Sequence, residues 1–262
     1  MAKYEFNGDK YKKASRHQKE WGIALINELN LYGCESVLDL GCGDGILTGK
    51  IAKELKHGKV LGIDSSGGMI KTAKKLESDN LRFIRMDINE FNFCNEFDII
   101  VSNATLHWVK DHKGLLKRSH SALTKGGMIR FNFAGDGNCS NFFDVVNRVM
   151  HENDFKHYFI NFEIPWFMPG INEYKNIMLE SPFKDYEVWG ENKDRYFSNK
   201  EEMIKWIDQP SIVPFLNEIN DKCIKKKFRD MVVDRMIKKT MGTDGKCFET
   251  FRRINVYAKK ES

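Results

Sequence analysis

The chain predicts an α/β fold: a doubly wound, mostly parallel sheet covered by helices on both faces, with a mainly helical cap inserted before the last strand. Three observations carry this expectation. Short, nearly continuous apolar runs alternate with amphipathic stretches through the first half, the pattern of strands buried on both sides by crossover helices. A glycine-rich turn stands directly between the first apolar run and the first helical stretch. After Phe133 the texture changes to a turn-rich break, aromatic-dense segments and charged helices, and strand-like sequence returns near the end.

Taken in order, "SVLDL" (36–40) is the first strand and "ILTGKIAKEL" (46–55) the first crossover helix. "KVLGID" (59–64), "GMIKTAKKLE" (68–77) and "LRFIRM" (81–86) repeat the strand–helix–strand unit. "FDIIV" (97–101), "KGLLKRSHSAL" (113–123) and "GMIRFNF" (127–133) repeat it again. In that last helix Leu115, Leu116 and Leu123 share a face while Arg118 and the lysines take the wet side. Beyond "AGDGNCSN", "FFDVVNRVMHEN" reads as a helix, and the stretch to Leu179 is rich in aromatic residues and holds Pro165 and Pro169. "DYEVWGENKDRYF" (185–197) has strand-like ends around a polar middle. "NKEEMIKWIDQ", "PFLNEIN" and "KCIKKKFRDMVVDRMIKKT" read as helices, and "GKCFETFRRINVYAKK" closes the chain as a strand. The expected organisation is an N-terminal helical segment over 1–35, a core over 36–140, a helical cap over 141–245 with a core strand near 185–197, and a final core strand over 246–262.

Composition narrows the function classes. With 262 residues, 41% hydrophobic, the chain can bury a sizeable core, and a net charge of +5 falls short of the basic stripe of a dedicated nucleic-acid binder. The six cysteines show no CxxC pair or zinc-ligand spacing, so buried free thiols in a reducing compartment are expected. "MAKYEFNGDKYKK" has no apolar signal core, and no apolar run approaches a membrane span. A cytoplasmic protein is expected, a monomer with a dimer as the alternative.

The chemistry concentrates in "VLDLGCGDG" (37–45), where a buried strand runs into Gly41, Gly43 and Gly45 and a helix follows. Such glycines allow positive φ and close approach of backbone to a ligand, at the strand ends where open α/β sheets bind. The third glycine of a dinucleotide fingerprint would fall at 46, which is Ile46, and Asp39 would repel a pyrophosphate. A ligand bearing an ammonium group, as S-adenosylmethionine does, would be attracted instead. Asp64 ends the second strand, where a carboxylate can accept ribose hydroxyls, and Asp87 ends the third, where it can accept an adenine amino group while Ile88 packs on the ring. Helix capping or turn formation is the alternative for Asp64 and Asp87.

"VLDLGCGDG", "GIDSS", "MDI", "FDIIVSNATLHWV" and "LTKGGMIRFNF" together resemble class I S-adenosylmethionine-dependent methyltransferases, in that family's motif order over about residues 36–133. Later segments extend the resemblance to the trans-aconitate methyltransferase type, related to juvenile hormone acid and malonyl-carrier-protein methyltransferases. Val213 departs from it, standing where that type tends to carry arginine. The resemblance implies a seven-stranded, Rossmann-like core, S-adenosylmethionine as cofactor and methyl-ester formation on a small-molecule carboxylate. It places Asp39, Gly41, Gly43, Asp64, Ser65, Asp87, Ile88 and Asn103 around the cofactor, with Tyr11 closing over it from the N-terminal segment. It assigns His107, Trp108 and Gln18 to the acceptor, Trp108 and Gln18 as hydrogen-bond donors to its carboxylate.

A carboxylate acceptor is already ionised at neutral pH and needs no general base. This agrees with a sequence in which no Ser-His-Asp, Cys-His or metal constellation can be picked out. "NATL" also lacks the Pro-Pro run with which amino methyltransferases position an amine. The basic stretch 222–239 reads as a solvated helix face; Arg195, Arg229, Arg252 and Arg253 are the other cations that could hold further carboxylates. Methylation of a carrier protein, RNA or protein, and a scaffold without turnover, are the competing functions.

Overall fold

Apolar side chains on both sides of the central strands leave these no solvated face, so helices must cover the sheet twice. The computed structural model describes residues 16–261. Helix α1 (Arg16–Asn27) leads into β1 (Ser36–Leu40), α2 (Ile46–Glu54), β2 (Lys59–Asp64), α3 (Gly67–Ala73) and β3 (Leu81–Arg85). Then come β4 (Phe97–Asn103), α4 (His112–Ala122), β5 (Leu123–Ala134), α5 (Ser140–Met150), α6 (Ile171–Leu179), β6 (Asp185–Asn192) and β7 (Arg195–Phe197). The chain continues through α7 (Lys200–Trp206), α8 (Val213–Glu218), α9 (Lys222–Thr240), β8 (Cys247–Glu249) and β9 (Arg252–Lys259).

Seven strands form one sheet in the order β3-β2-β1-β4-β5-β9-β6. Strands β1 to β5 pair in parallel, and β9 runs antiparallel to β5. The chain winds outward from β1 to β3 and returns to start β4 beside β1, which puts the topological switch point at the carboxyl ends of β1 and β4.

The two faces of this sheet differ. On one, Leu38, Leu40, Ile100, Ile129, Phe131, Phe133, Ile254 and Val256 form an apolar cluster with Leu115 and Leu116 of α4 and Tyr174 and Met178 of α6. On the other, Val37, Ile99 and Val101 meet Leu25 of α1, Leu29 just after it, Ile51 of α2 and Leu55 at its end. Along β5 and β9 that second face becomes polar, with Arg130, Asn132, Arg253 and Asn255 all buried. Asn255 Oδ1 accepts from Arg130 (3.0 Å) and Asn132 (2.8 Å), its amide donates to Glu191 (2.9 Å), and Arg130 also reaches Glu28 (2.7 Å). Buried polar groups persist in a core only when paired in this way.

The chain divides into two compact units. The first runs through Asp136 and takes in Trp166–Glu191 and the chain from Arg253; the second holds Gly137–Pro165 and Asn192–Arg252. The segment 166–184, expected in the cap, groups with the sheet as the expected core strand from 185 does, because α6 completes the apolar cluster. The expected strand near 185–197 is two: β6 joins the main sheet, while β7 pairs with β8 in a separate antiparallel ribbon. The closing strand over 246–262 is likewise divided at Thr250–Phe251. There the buried Glu249 accepts the first N–H groups of α5, at Asn141 (3.1 Å) and Phe142 (2.9 Å), and Asp194 takes the N–H of Phe251 (3.0 Å) and pairs with Arg252. Of the thiols expected to be buried, Cys42, Cys139 and Cys247 are, and Cys34, Cys94 and Cys223 are exposed.

In the second unit, α9 buries Phe228, Val232, Val233 and Met236. Its charged face is laced with ion pairs: Lys227 with Asp154, Arg229 with Asp208 and Asp230, Arg235 with Glu152, and Lys239 with Asp144. Among the described residues no helix is long and apolar enough to cross a membrane.

His112, at the start of α4, is a buried polar strut in the apolar cluster. Its Nε2–H donates to the Leu106 carbonyl (3.0 Å) and its Nδ1 accepts from the Tyr174 hydroxyl (3.0 Å). Burial holds it neutral, its pKa pulled down to about 4. Tyr174→Phe leaves Nδ1 without its donor, so denaturant unfolding should show a loss of about 1–2 kcal/mol with the fold retained.

Candidate active site

At the end of β1 the chain turns through Gly41-Cys42-Gly43-Asp44-Gly45 into α2. The N–H groups of Gly41 (2.8 Å) and Cys42 (3.0 Å) both donate to the Ile63 carbonyl, which ties the turn to β2. All three glycines have left-handed φ, Gly41 at 75°, Gly43 at 55° and Gly45 at 77°, and the last two have it for different reasons. A Cβ on Gly45 would stand 2.7 Å from the Phe83 ring, whereas one on Gly43 would meet nothing within 4 Å. Gly45 serves packing; Gly43 borders open space where a ligand can lie against the backbone.

Asp39 is 5% exposed and accepts a hydrogen bond from Thr48 Oγ1 at 2.7 Å. Burial pushes its carboxyl up to about 6; the Thr48 bond works against the rise and the neighbouring Asp64 charge adds to it. Among the described residues no cationic side chain pairs with it, so Asp39 is a buried anion held for something else. Asp64, at the end of β2, accepts the Gly43 N–H (3.0 Å) and the Ser66 N–H (2.8 Å), clamping the turn. Ser66 rather than Asp64 caps α3, by accepting the Met69 N–H. Ser65 lies between them, and its carbonyl accepts from Arg85 (3.0 Å). Asp87 accepts from the backbone and side chain of Asn89 (2.8 and 3.0 Å), as a turn former does, and Ile88 is buried in the apolar cluster.

The end of β4 is stitched to this turn: Ser102 Oγ donates to the Leu40 carbonyl (2.7 Å) and Thr105 Oγ1 to that of Gly41 (3.1 Å). Between them Asn103 pairs in register with Asn132, and Ala104 takes a left-handed φ of 56°. The Ala104 N–H donates to the Asn132 carbonyl at 2.7 Å. This turn swings the chain off the sheet into a single 3-10 turn, Leu106–Trp108, anchored by the buried Leu106.

Trp108 is half-buried, with its ring centroid 5.2 Å from that of Trp166 and 5.8 Å from that of His107. The Phe167 N–H donates to the His107 carbonyl at 2.8 Å, so 166–167 is strapped alongside. His107 shows part of its ring at the surface, yet its Nδ1 is buried and has no hydrogen-bond partner among the described residues. Burial first, then the charges of Arg253 and His112, pull its pKa down to about 3, so the ring is neutral.

A cavity of about 30 Å³ lies against Asp39, Gly41 and Asn103 on the sheet side, Gly22 and Leu25 on α1, and Leu47 on α2. A Cβ on Gly22 would come within 2.2 Å of Leu47, so only glycine lets α1 approach here. Cys42 also lines it, but burial and the Asp39 charge push its thiol well above the ordinary range, which excludes a thiolate.

Asp39, Gly41, Gly43, Asp64 and Asn103 thus come together at the switch point, and His107 and Trp108 follow directly after Asn103. Asp87 and Ile88 follow the end of β3, in the strand order β3-β2-β1. Tyr11 lies outside the described residues, as does the side chain of Gln18, which belongs to the first turn of α1. Sequence reasoning missed Trp166 as a partner of Trp108, and it missed His112 altogether.

The chain is similar to known proteins. Residues 37–127 match the family model described as a methyltransferase domain. The trans-aconitate 2-methyltransferase of Enterobacter sp. (strain 638) is 24% identical over 258 residues, 98% of this chain and 99% of that protein. The malonyl-[acyl-carrier protein] O-methyltransferase 1 of Ilyobacter polytropus is 34% identical over 133 residues, 49% of this chain and 48% of that one. Among solved structures, the Haemonchus contortus phosphoethanolamine N-methyltransferase 2 in complex with S-adenosyl-L-methionine superposes with a TM-score of 0.61 at 19% identity, over 97% of this chain and 57% of that chain. The region from Val37 to Gly127, with its glycine turn and strand-end acids, is the part of the chain similar to a methyltransferase domain.

Proposed function

We propose that the chain transfers the methyl group of S-adenosylmethionine to a carboxylate oxygen of a small organic acid, giving a methyl ester and S-adenosylhomocysteine. The neutrality of His107 carries the choice of acceptor. Among the described residues His107, next to Trp108, and His112 are both held neutral and weakly basic, and the His112 lone pair is already taken by Tyr174. An alcohol, or an amine held as its ammonium, must lose a proton before or as it is methylated, and a ring with a pKa near 3 is a poor acceptor for it. A carboxylate has no proton to lose. The names of the two relatives, both acting on carboxylic acids or their carrier-bound forms, support the same class.

The cofactor fits the residues present. Asp39, a buried anion without a cationic side chain among the described residues, suits the ammonium group. The open backbone at Gly43, with Gly41 beside it, admits the methionine moiety, and the Asp64 oxygens stand where ribose hydroxyls would be accepted. Ser65, Asp87 and Ile88 complete the adenosine side in this reading, with Tyr11 closing over it. When bound, the cofactor supplies an electrophilic methyl group on a sulfonium. His107 and Trp108 shape the acceptor site, with Gln18 as a further donor to the carboxylate. One carboxylate oxygen attacks the methyl carbon in line, the C–S bond breaks, and its electron pair stays on sulfur. A cation and an anion thereby become two neutral groups, which a water-poor aromatic wall favours. The ion pairs along α9 leave less free positive charge for RNA than the sequence suggests.

Variants, pH dependence and the chemistry of the product test this reading. Gly43→Ala should leave the fold within about 1 kcal/mol, the cost of left-handed φ for alanine, yet lose most affinity for S-adenosylhomocysteine; Gly45→Ala should instead destabilise by more, through its clash with Phe83. Because folding raises the Asp39 pKa, the stability it contributes is complete below the ordinary carboxylate range and is lost as pH rises through about 6. Asp39→Asn should therefore stabilise the ligand-free protein by roughly 2–3 kcal/mol at neutral pH, as read by denaturant unfolding. In the parent protein, affinity for S-adenosylhomocysteine should fall about tenfold for each pH unit below that value, and Asp39→Asn should abolish the dependence. Finally, the methylated product should be cleaved by mild alkali, and Trp108→Ala should lower kcat/KM by about 100-fold with cofactor affinity kept. An alkali-stable product would sink the ester assignment.

A further inference from the structure

Two titratable side chains lie deep in the sheet unit and have no part in the proposed reaction: His112 at the start of α4 and Tyr174 near the start of α6, 2% and 0% exposed. Tyr174 belongs to the apolar cluster, and the His112 ring packs among Phe167 (4.9 Å between centroids), Phe133 (5.2 Å) and Tyr174 (5.3 Å). An apolar pair of the same shape would fill this place without the cost of burying two polar groups. What it would not supply is direction.

Both ends of the pair are anchored. Asp111 caps α4 by accepting the Gly114 N–H (2.8 Å), and side chains at a helix start lean back past its N-terminus, so the imidazole reaches the chain before the helix. The Tyr174 N–H donates to the Gly170 carbonyl (3.0 Å), which fixes it in α6. Between these anchors the bonds run in one sense: the Tyr174 hydroxyl donates to His112 Nδ1, and His112 Nε2–H donates to the Leu106 carbonyl, each at 3.0 Å. A carbonyl can only accept, which sets the tautomer. The Leu106 carbonyl also accepts the Val109 N–H (2.9 Å), closing the 3-10 turn that carries His107 and Trp108. That turn leaves the sheet through Ala104 at left-handed φ, and a strained conformation of this kind persists only where its surroundings over-determine it. The His107 carbonyl is held in turn by the N–H of Phe167, whose ring packs on His112. Trp108 then meets Trp166, the neighbour of Phe167, at 5.2 Å between centroids.

From this arrangement we infer that His112 and Tyr174 are positioning residues of the acceptor site, holding the 3-10 turn through the Leu106 carbonyl so that the Trp108 ring keeps one orientation against the acceptor. The inference rests on the placement of Trp108 at the acceptor proposed above. The pair acts through the turn and takes no part in bond making. In-line transfer depends on the angle between the attacking oxygen and the C–S bond, so a small shift of the wall that aligns the acceptor costs rate more than affinity.

Two amide variants separate the ends of the strut. A glutamine amide stands where Nε2 does and keeps the bond to Leu106; an asparagine amide stands nearer Nδ1 and keeps only the side facing Tyr174. Fluorine NMR of the fluorotryptophan-labelled full chain, with S-adenosylhomocysteine bound, reads the surroundings of the five tryptophans, and Trp108→Phe assigns the resonance of interest. His112→Gln should keep the Trp108 shift, and His112→Asn should move or broaden it. Steady-state kinetics on a panel of short mono-, di- and tricarboxylates should agree. There kcat should stay within about 3-fold of the parent for His112→Gln and fall about 10- to 100-fold for His112→Asn, with KM and affinity for S-adenosylhomocysteine within a small factor in both. Tyr174→Phe should move the Trp108 resonance the same way to a smaller extent, and it carries the test should the asparagine variant fold poorly. Glutamine and asparagine variants that behave alike, or a Trp108 resonance unmoved by His112→Asn and Tyr174→Phe, reduce the pair to packing and overturn the inference. A parent protein that forms no alkali-labile product from any acid of the panel overturns the carboxylate reading instead, and the Trp108 resonance still decides the role of His112.

Discussion

A carboxylate buried at the end of β1 with no cationic side chain paired to it among the described residues is the constraint on which the rest of the site depends. Left alone, Asp39 disfavours the folded chain at neutral pH, because burial opposes its ionisation. The neighbouring structure makes that burial tolerable without cancelling it. Thr48 supplies one hydrogen bond, and the turn after Asp39 is clamped from β2 by the Ile63 carbonyl and the Asp64 carboxylate. The turn is thereby rigid before a ligand arrives, and little ordering remains to be done on binding. Strain of this kind belongs at functional sites, where a cationic ligand completes what the fold leaves uncompensated.

The second organising feature is the division of the sheet into a dry face and a partly wet one. Because side chains alternate along a strand, the residues of β5 that face α4 are Ile129, Phe131 and Phe133, while Arg130 and Asn132 face the other way. On that second face the polarity is graded. The region of β1 and β2 packs apolar helices and offers only acids at its strand ends, and the region of β5 and β9 carries buried amides and arginines. Anionic and cationic ends of one face therefore flank the carboxyl end of β4, where Asn103, His107 and Trp108 stand.

How legible this was differs by element. The central strands and the glycine turn could be read from sequence because their information is local: apolar runs of strand length, and glycines where no other residue fits. Helix α9 was equally readable, and the structure gives it the bounds of the expected stretch, Lys222–Thr240. The segment 166–184 was misplaced because an aromatic-rich, proline-punctuated stretch reads alike whether it walls a cap or completes a sheet's cluster. The break at Thr250–Phe251 was invisible because its causes, Glu249 at the start of α5 and Asp194 at Phe251, are set by residues far apart in the chain. His112 looked like an ordinary residue at a helix start; only its burial between Leu106 and Tyr174 reveals the strut. Asp39 and Asp64 were legible as a pair of strand-end acids, whereas Asp87 keeps the ambiguity it had, since its bonds to Asn89 suit a turn equally well. Among the arginines the sequence offered no choice, because what separates them is the partner each meets in the fold.

The neutrality of His107 ties these features together. In the proposed reaction the cofactor brings a positive charge to the end of β1 and the acceptor brings a negative one, and both vanish as the methyl group moves. A protonated imidazole beside Trp108 would repel the sulfonium and hold the reacting carboxylate in its charged state, opposing the step twice. Burial removes that proton, and the positive charge of Arg253 reinforces the effect. In the proposed reaction an uncharged ring would keep the space between cofactor and acceptor neutral and water-poor where charge is to disappear.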